Sequence, residues 1–242
     1  MNTLTAFSII ALAGLIHASF QLSVSMLTLL SSHTIGRKRS QARLVVLTNS
    51  FVFGAAVMTT LLLCLFAQLF QAVSGKLTLD LLWTAVCGGT VGLAVAVLLF
   101  YYRKQAGTTL WLPRQMARYL ATRAKATKHS AEAFTLGLAS VLGELVFICM
   151  PLVIAALVLI QLDPVTQLAG IGFYVAVSLS SLVIMHALIG SGHRISSLQR
   201  WREQNKRFFQ LSAGSGLLVL GFYLYVEQVM TVAVWAAEKA VW

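Results

Sequence analysis

Charge of either sign is scarce in this 242-residue chain: Asp, Glu, Lys and Arg together make up only 10% of the residues, whereas hydrophobic residues make up 58%. A soluble globular domain usually carries about 25% charged residues, so the composition excludes an ordinary soluble protein. It also excludes nucleic-acid binding, because no soluble domain is left to carry the net charge of +11.

Cysteine is equally rare and carries no motif. The three cysteines, Cys64, Cys87 and Cys149, all fall in apolar stretches and form no C-x-x-C pair. This argues against a disulfide framework and a metal knuckle, and we expect no bound metal and no cofactor. An ATP-binding motif is also absent, so the energy for any transport has to come from a gradient or from a partner subunit. We do not expect an enzyme.

In place of charge the chain has six long apolar stretches, each long enough for a helix to cross the bilayer core, which takes about 20 residues. They lie at about residues 4–31, 45–72, 81–102, 132–161, 166–190 and 209–234. The sequence therefore predicts an all-α polytopic membrane protein with six transmembrane helices, folded as a single membrane domain over residues 1–242.

The basic residues predict how this protein is oriented. Sixteen of the 18 Lys and Arg residues lie in segments 37–43, 103–128 and 194–207, which occupy every second gap between the apolar stretches. This positive-inside pattern predicts a bacterial inner (plasma) membrane with both termini outside. The basic loops are predicted to contact anionic lipids of the inner leaflet, and residues 103–130 to form a cytoplasmic basic amphipathic segment in the interface.

Two segments indicate that the chain contains two related halves. Residues 14–22 and 137–145 align with three identities, and this alignment places Gln21 opposite Glu144. Because three helices per half is an odd number, the second half would enter the membrane upside down. The sequence thus predicts an inverted three-plus-three repeat, which is typical of secondary transporters. Gly88 and Gly92 predict a close helix contact, and homo-oligomerisation through such glycine faces is left open.

Glu144 is the carboxylate that lies well inside a predicted span. Burial of an unpaired carboxylate favours the protonated acid, and such a group can exchange its proton when one side of the protein opens to water. His17 is the predicted partner, since the repeat pairs the first and fourth spans and imidazole titrates near physiological pH. The structural alternative is a permanently neutral Glu144 that joins two helices by hydrogen bonds.

Further polar residues at helical spacing extend this candidate pathway for substrate and protons. Besides Glu144 and His17, it comprises Gln21, Asn49, Thr60, Ser140, Ser178, Ser181 and His186. We expect His186 to lie nearer the inner face, where a gate is one role open to it. Pro151 is predicted to break the fourth helix just beyond Glu144, which would turn free carbonyl groups toward a cavity; a simple kink is the alternative.

The opening of the chain resembles the lysine-exporter (LysE) superfamily. The resemblance rests on the first span running into Gly36-Arg37-Lys38-Arg39 and on Phe53-Gly54 in the second span. It implies six helices in inverted repeats with an outward N-terminus. The proline motif of the family's first span is replaced here by residues 20–23, Phe-Gln-Leu-Ser. Residues 148–151, Ile-Cys-Met-Pro, are similar to the cysteine-proline motif of the CcdA/DsbD thiol-relay branch, but the first span supplies no second cysteine.

These observations favour a secondary transporter that exports a small polar solute, such as an amino acid, coupled to proton movement. Two alternatives stay open. A non-transporting membrane scaffold or assembly factor would have its polar residues paired internally. A CcdA-like redox protein would need a reactive Cys149, although one thiol cannot cycle between a dithiol and an intramolecular disulfide.

Overall fold

The computed structural model describes residues 2–20, 22–35, 41–73, 79–100, 114–191, 197, 200–201 and 204–230. Within these residues the chain is helical and contains no strand. Four helices are long and apolar enough to cross a membrane, and the number rises to six if each of two bent helix pairs is counted as one span. An all-helical fold with helices able to span a membrane is therefore confirmed, while the count of six spans and the inverted repeat stay predictions.

The helices follow the predicted apolar stretches closely. In chain order they are α1 (Thr3–Ser19), α2 (Leu22–Ile35), α3 (Gln41–Val73), α4 (Leu79–Phe100), α5 (Arg114–Ala126), α6 (Ser130–Leu159), α7 (Pro164–Ser178), α8 (Ser180–Gly190) and α9 (Lys206–Leu224). A π-helical turn over Tyr225–Met230 continues α9. Residues 103–113 of the predicted amphipathic segment lie outside the described residues. Its remainder includes α5, whose Leu120 and Ala124 are buried while Arg123 and Lys125 are exposed.

The first predicted span is a broken helix. Phe20 ends α1 in an extended conformation (φ −75°, ψ 145°), and α2 continues at an angle of 46°. The fifth predicted span is bent by 52° between α7 and α8. There Leu179 still donates its N–H to the Val175 carbonyl and accepts from Val183, so the hydrogen-bond ladder passes through the bend. The first span is interrupted, and the fifth is only kinked.

Helix α6 forms the centre of the bundle, and the predicted break at Pro151 is wrong. The helix runs without interruption from Ser130 to Leu159 with Pro151 inside it. Every residue from Pro151 to Leu159 is buried. A proline removes one backbone donor, but membrane helices tolerate this where neighbouring helices surround them. A broken helix does lie beside Glu144, but it belongs to the first predicted span and not to α6.

Glycines set the closest helix contact, but they are not the predicted pair. A Cβ atom on Gly54 of α3 would collide with the carbonyl oxygen of Phe134, and one on Gly137 of α6 with that of Phe51. Gly88 and Gly92 of α4 would meet no atom within 4 Å among the described residues. Gly88 and Gly92 therefore make no close helix contact within the described part of the chain, because a spacing of four does not tell which face points inward. A contact through them with a second copy of the chain stays a prediction.

Candidate functional site

The break in the first span lies directly against Glu144 of α6. The backbone N–H of Ser23, the second residue of α2, donates to Glu144 Oε1 at 3.0 Å, and the Ser23 hydroxyl donates to Oε2 at 2.9 Å. Phe20 stacks on the ring of Phe147, one turn further along α6, with a centroid separation of 5.7 Å. The start of α2 is thus bound to α6 by a carboxylate, and the residue that ends α1 is bound to it by an aromatic contact.

This arrangement provides a hydrogen-bond acceptor for a backbone N–H that the break leaves without a partner inside the helix. The first four N–H groups of an α-helix have no partner within the helix, and in a membrane no water replaces that partner. Glu144 supplies two acceptor oxygens at the positive end of the α2 dipole, where negative charge is favoured. With 4% of its surface exposed, the carboxylate works as a buried helix cap donated by another helix.

Ser140 extends the cluster along the same face of α6. Its hydroxyl lies 3.2 Å from the Ser23 hydroxyl and 2.8 Å from the Gly137 carbonyl oxygen. A hydroxyl has one hydrogen to donate and can also accept. When Glu144 is ionised, Ser23 donates to it. When Glu144 is protonated, it can donate to Ser23, which then donates to Ser140, whose hydrogen goes to Gly137. Both protonation states therefore fit the same heavy-atom positions.

His17 occupies the last turn of α1, immediately before the break. Its carbonyl accepts the Phe20 N–H at 3.1 Å, and its Nδ1 lies 3.0 Å from the Tyr174 hydroxyl of α7. Both side chains are buried. The observed bonds therefore join His17 to Tyr174 and Glu144 to Ser23, whereas the sequence paired His17 with Glu144. His17 precedes the break in the chain, and Ser23 follows it.

Not all of the other predicted site residues lie beside Glu144 and Ser23. Ser178 is buried, its hydroxyl donates to Val175 of its own helix, and its backbone lies beside Gly14 of α1. Thr60 donates to the Ala56 carbonyl of its own helix. Asn49 is exposed and lines a shallow depression on α3.

Three predicted positions stand apart from these contacts. Ser181 is half-buried in α8. His186, further along α8, has a buried Nδ1 without a hydrogen-bond partner in the described part of the chain. Gln21 lies outside the described residues. No group of three or more His, Cys, Asp or Glu side chains that could hold a metal ion occurs within the described ranges.

The residue that sequence reasoning missed is Ser23. Its only signal was its position two residues after Gln21 in the segment that replaces the family's proline motif. Tyr174 was visible as a polar residue of the fifth span, but nothing in the sequence tied it to His17, 157 residues away.

No protein-family model, curated protein or solved structure matches this chain. The resemblance to the lysine-exporter superfamily thus stays a prediction, and the function has to be argued from the site itself.

Proposed function

We propose that this protein is a secondary transporter that moves a small polar solute, such as an amino acid, across a bacterial inner membrane, coupled to the movement of protons. The observation that carries the proposal is the Glu144 carboxylate bound to Ser23 at the start of α2, inside the broken first span. Broken helices whose N-termini bind the carboxylate of a substrate are a recurrent feature of secondary transporters.

The same contact supports a coupling mechanism. Glu144 occupies the position that a solute carboxylate would take at the N-terminus of α2. Protonation of Glu144 removes its negative charge and weakens its attraction to the helix dipole, so that a solute carboxylate can displace it from the Ser23 N–H. Release of the solute lets Glu144 lose its proton and bind Ser23 again. One proton then moves for each solute, and Ser140 keeps the hydroxyl chain satisfied in both states.

His17 and Tyr174 fit a separate role in this mechanism. Their contact joins the end of α1 to α7, and Gly14 of α1 packs on Val177 and Ser178 one turn earlier. Movement of α1 relative to α2 at Phe20 would therefore be transmitted to the kink at Leu179. We assign His17 and Tyr174 to positioning α1, and we assign proton exchange to Glu144.

A membrane scaffold or assembly factor is the second candidate, and one observation favours it. Glu144, Ser23, Ser140, His17 and Tyr174 all bond to one another or to nearby backbone. A set of internally paired polar groups is also what holds helices together in lipid. A redox function has weaker support: Cys149 is a free, half-buried cysteine.

The test is proton flux across the membrane of proteoliposomes in the presence of single amino acids, comparing wild type with Glu144→Gln. We expect a solute-dependent proton flux in the wild type that falls to background in the variant. Glu227→Gln is the matched control, because it makes the same substitution at an exposed carboxylate in the π-helical turn, and it should keep the flux. Absence of flux with every solute, together with a folded but less stable Glu144→Gln, would reject transport in favour of the scaffold. Cys149→Ser separates the redox function, since transport should survive it.

A further inference from the structure

A second polar pocket lies at the opposite end of α6 from its buried half, and it has no part in the proposed transport. It lies between α5 and the first turns of α6 and has a volume of about 270 Å³. Small-molecule pockets usually measure about 300–1,000 Å³, so this one fits a headgroup rather than a large ligand. Arg123 and Tyr119 line it on the α5 side, and Glu132 and Thr135 on the α6 side.

The charged groups of the pocket are held in place. The Arg123 guanidinium lies over the Tyr119 ring, 5.4 Å from its centroid, which is a cation–π contact. Glu132 Oε2 accepts the backbone N–H groups of Lys128 and His129 at 2.6 and 3.2 Å. Oε1 receives no hydrogen bond from the residues that the structure describes and is available to a ligand. The pocket thus presents one fixed cation and one fixed carboxylate.

An exposed apolar stripe leads away from this pocket along α6. Thr135 and Ala139 line the pocket, and Leu142 and Val146 continue the same face with 44% and 68% of their surfaces exposed. At 100° per residue these four positions fall within an arc of about 60°. A ligand with a polar head in the pocket can therefore lay an apolar chain along α6, which a free solute cannot do.

We propose that this pocket binds the headgroup of a phospholipid that carries both a phosphate and a primary ammonium, with an acyl chain along Leu142 and Val146. The guanidinium of Arg123 suits the phosphate, since arginine binds phosphate through paired hydrogen bonds. Glu132 suits the ammonium and disfavours a headgroup that carries negative charge alone. A trimethylated ammonium cannot donate a hydrogen bond to Glu132. The pocket therefore selects phosphatidylethanolamine over phosphatidylglycerol and phosphatidylcholine.

The test is lipid binding to the purified full-length protein by native mass spectrometry, with the three lipids carrying identical acyl chains. We expect the ethanolamine lipid to bind most tightly. Arg123→Ala should weaken its binding about tenfold, in line with loss of a charge-assisted hydrogen bond. Tyr119→Leu should weaken it about threefold through loss of the cation–π contact. Lys125→Ala is the matched control, because it removes one positive charge from the same helix outside the pocket, and it should have no effect.

Glu132→Gln tests the headgroup selection separately from the affinity. It should abolish the preference for the ethanolamine lipid over the glycerol lipid. Each variant is checked by thermal unfolding, and Tyr119→Leu keeps the test valid if Arg123→Ala does not fold. The proposal is overturned if the glycerol lipid binds the wild type most tightly, if Lys125→Ala weakens binding as much as Arg123→Ala, or if free phosphoethanolamine binds as well as the lipid.

Discussion

Helices α2 and α7 each begin with a backbone N–H of their own first turn bonded to a carboxylate, yet the two carboxylates come from different places. Helix α7 is capped by Asp163, the residue directly before it, whose Oδ2 accepts the Thr166 N–H at 3.1 Å. Helix α2 is capped by Glu144, which lies 121 residues further along the chain on α6. Asp163 is exposed, and Glu144 is buried.

Asp163 is a local cap, because it directly precedes the helix that it caps. Glu144 belongs to another helix, and we call it the imported cap. Asp163 stabilises α7 wherever that helix lies, because the cap and the helix are consecutive in the chain. Glu144 stabilises α2 only while α2 rests against α6. A bond that depends on the relative position of two helices is lost when they move apart, so the imported cap can take part in a conformational change. The local cap cannot.

Removing the imported cap should have the largest effect. Glu144→Ala leaves the Ser23 N–H without its acceptor in a buried position, and loss of hydrogen bonds to a charged group costs about 2–3 kcal/mol of stability. We expect a lower unfolding temperature and faster amide hydrogen exchange at the start of α2, with exchange in α7 unchanged. Equal acceleration in both helices would mean that Glu144 supports the whole fold and does not act as a cap for α2.

Displacing α6 should have a smaller effect in the same direction. In Gly137→Ala the new methyl group meets the Phe51 carbonyl of α3, and overpacking of this kind costs about 1–3 kcal/mol. Because α6 carries Glu144, hydrogen exchange should accelerate in α2 more than in α7. Gly92→Ala is the matched control, since no atom of the described residues lies within 4 Å of its methyl group, and alanine favours a helix over glycine by up to about 1 kcal/mol. A destabilising Gly92→Ala would contradict the assignment of the two glycines.

Removing the local cap should have the smallest effect, and the effect should depend on pH. Hydrogen bonds from the side chain and the backbone of Thr166 hold the pKa of Asp163 below its ordinary value. A lowered pKa in the folded protein means that the cap stabilises α7 above the ordinary pKa and that this stabilisation disappears as the pH falls through the lowered value. Asp163→Asn should thus lower the unfolding temperature slightly at neutral pH and leave it unchanged at strongly acid pH. A difference that grows with acid would contradict this sign.

The same contrast explains which parts of the molecule the sequence can predict. Hydropathy predicts the spans that became α3, α4 and α6, because each is a continuous apolar run whose backbone bonds are internal. The basic segment predicts α5 through its charge. Asp163, Pro164 and Thr166 form a readable helix start, since a capping residue followed by proline at the first position is a local signal.

The break in the first span is different, because its cause lies elsewhere in the chain. Residues 4–31 read as one apolar run, and only the position of Glu144 on α6 explains how a helix can start at Leu22 inside a membrane. The predicted break at Pro151 was wrong because of tertiary packing as well. A local helix breaker does not interrupt a helix when the surrounding helices pack the segment on all sides. Glu144 itself was predictable as a candidate from its burial in an apolar span, but its partner Ser23 was not.

Glu144 caps α2, and we propose that it also exchanges a proton during transport. The most direct measurement is infrared difference spectroscopy of the reconstituted protein across pH, with and without solute, the Glu144 signal being assigned by its loss in Glu144→Gln. We expect a protonated carboxyl band that grows as the pH falls, shifts in heavy water and changes in size when solute is added. A carboxylate that stays ionised at every pH at which the protein is folded, and that does not respond to any solute, would contradict it.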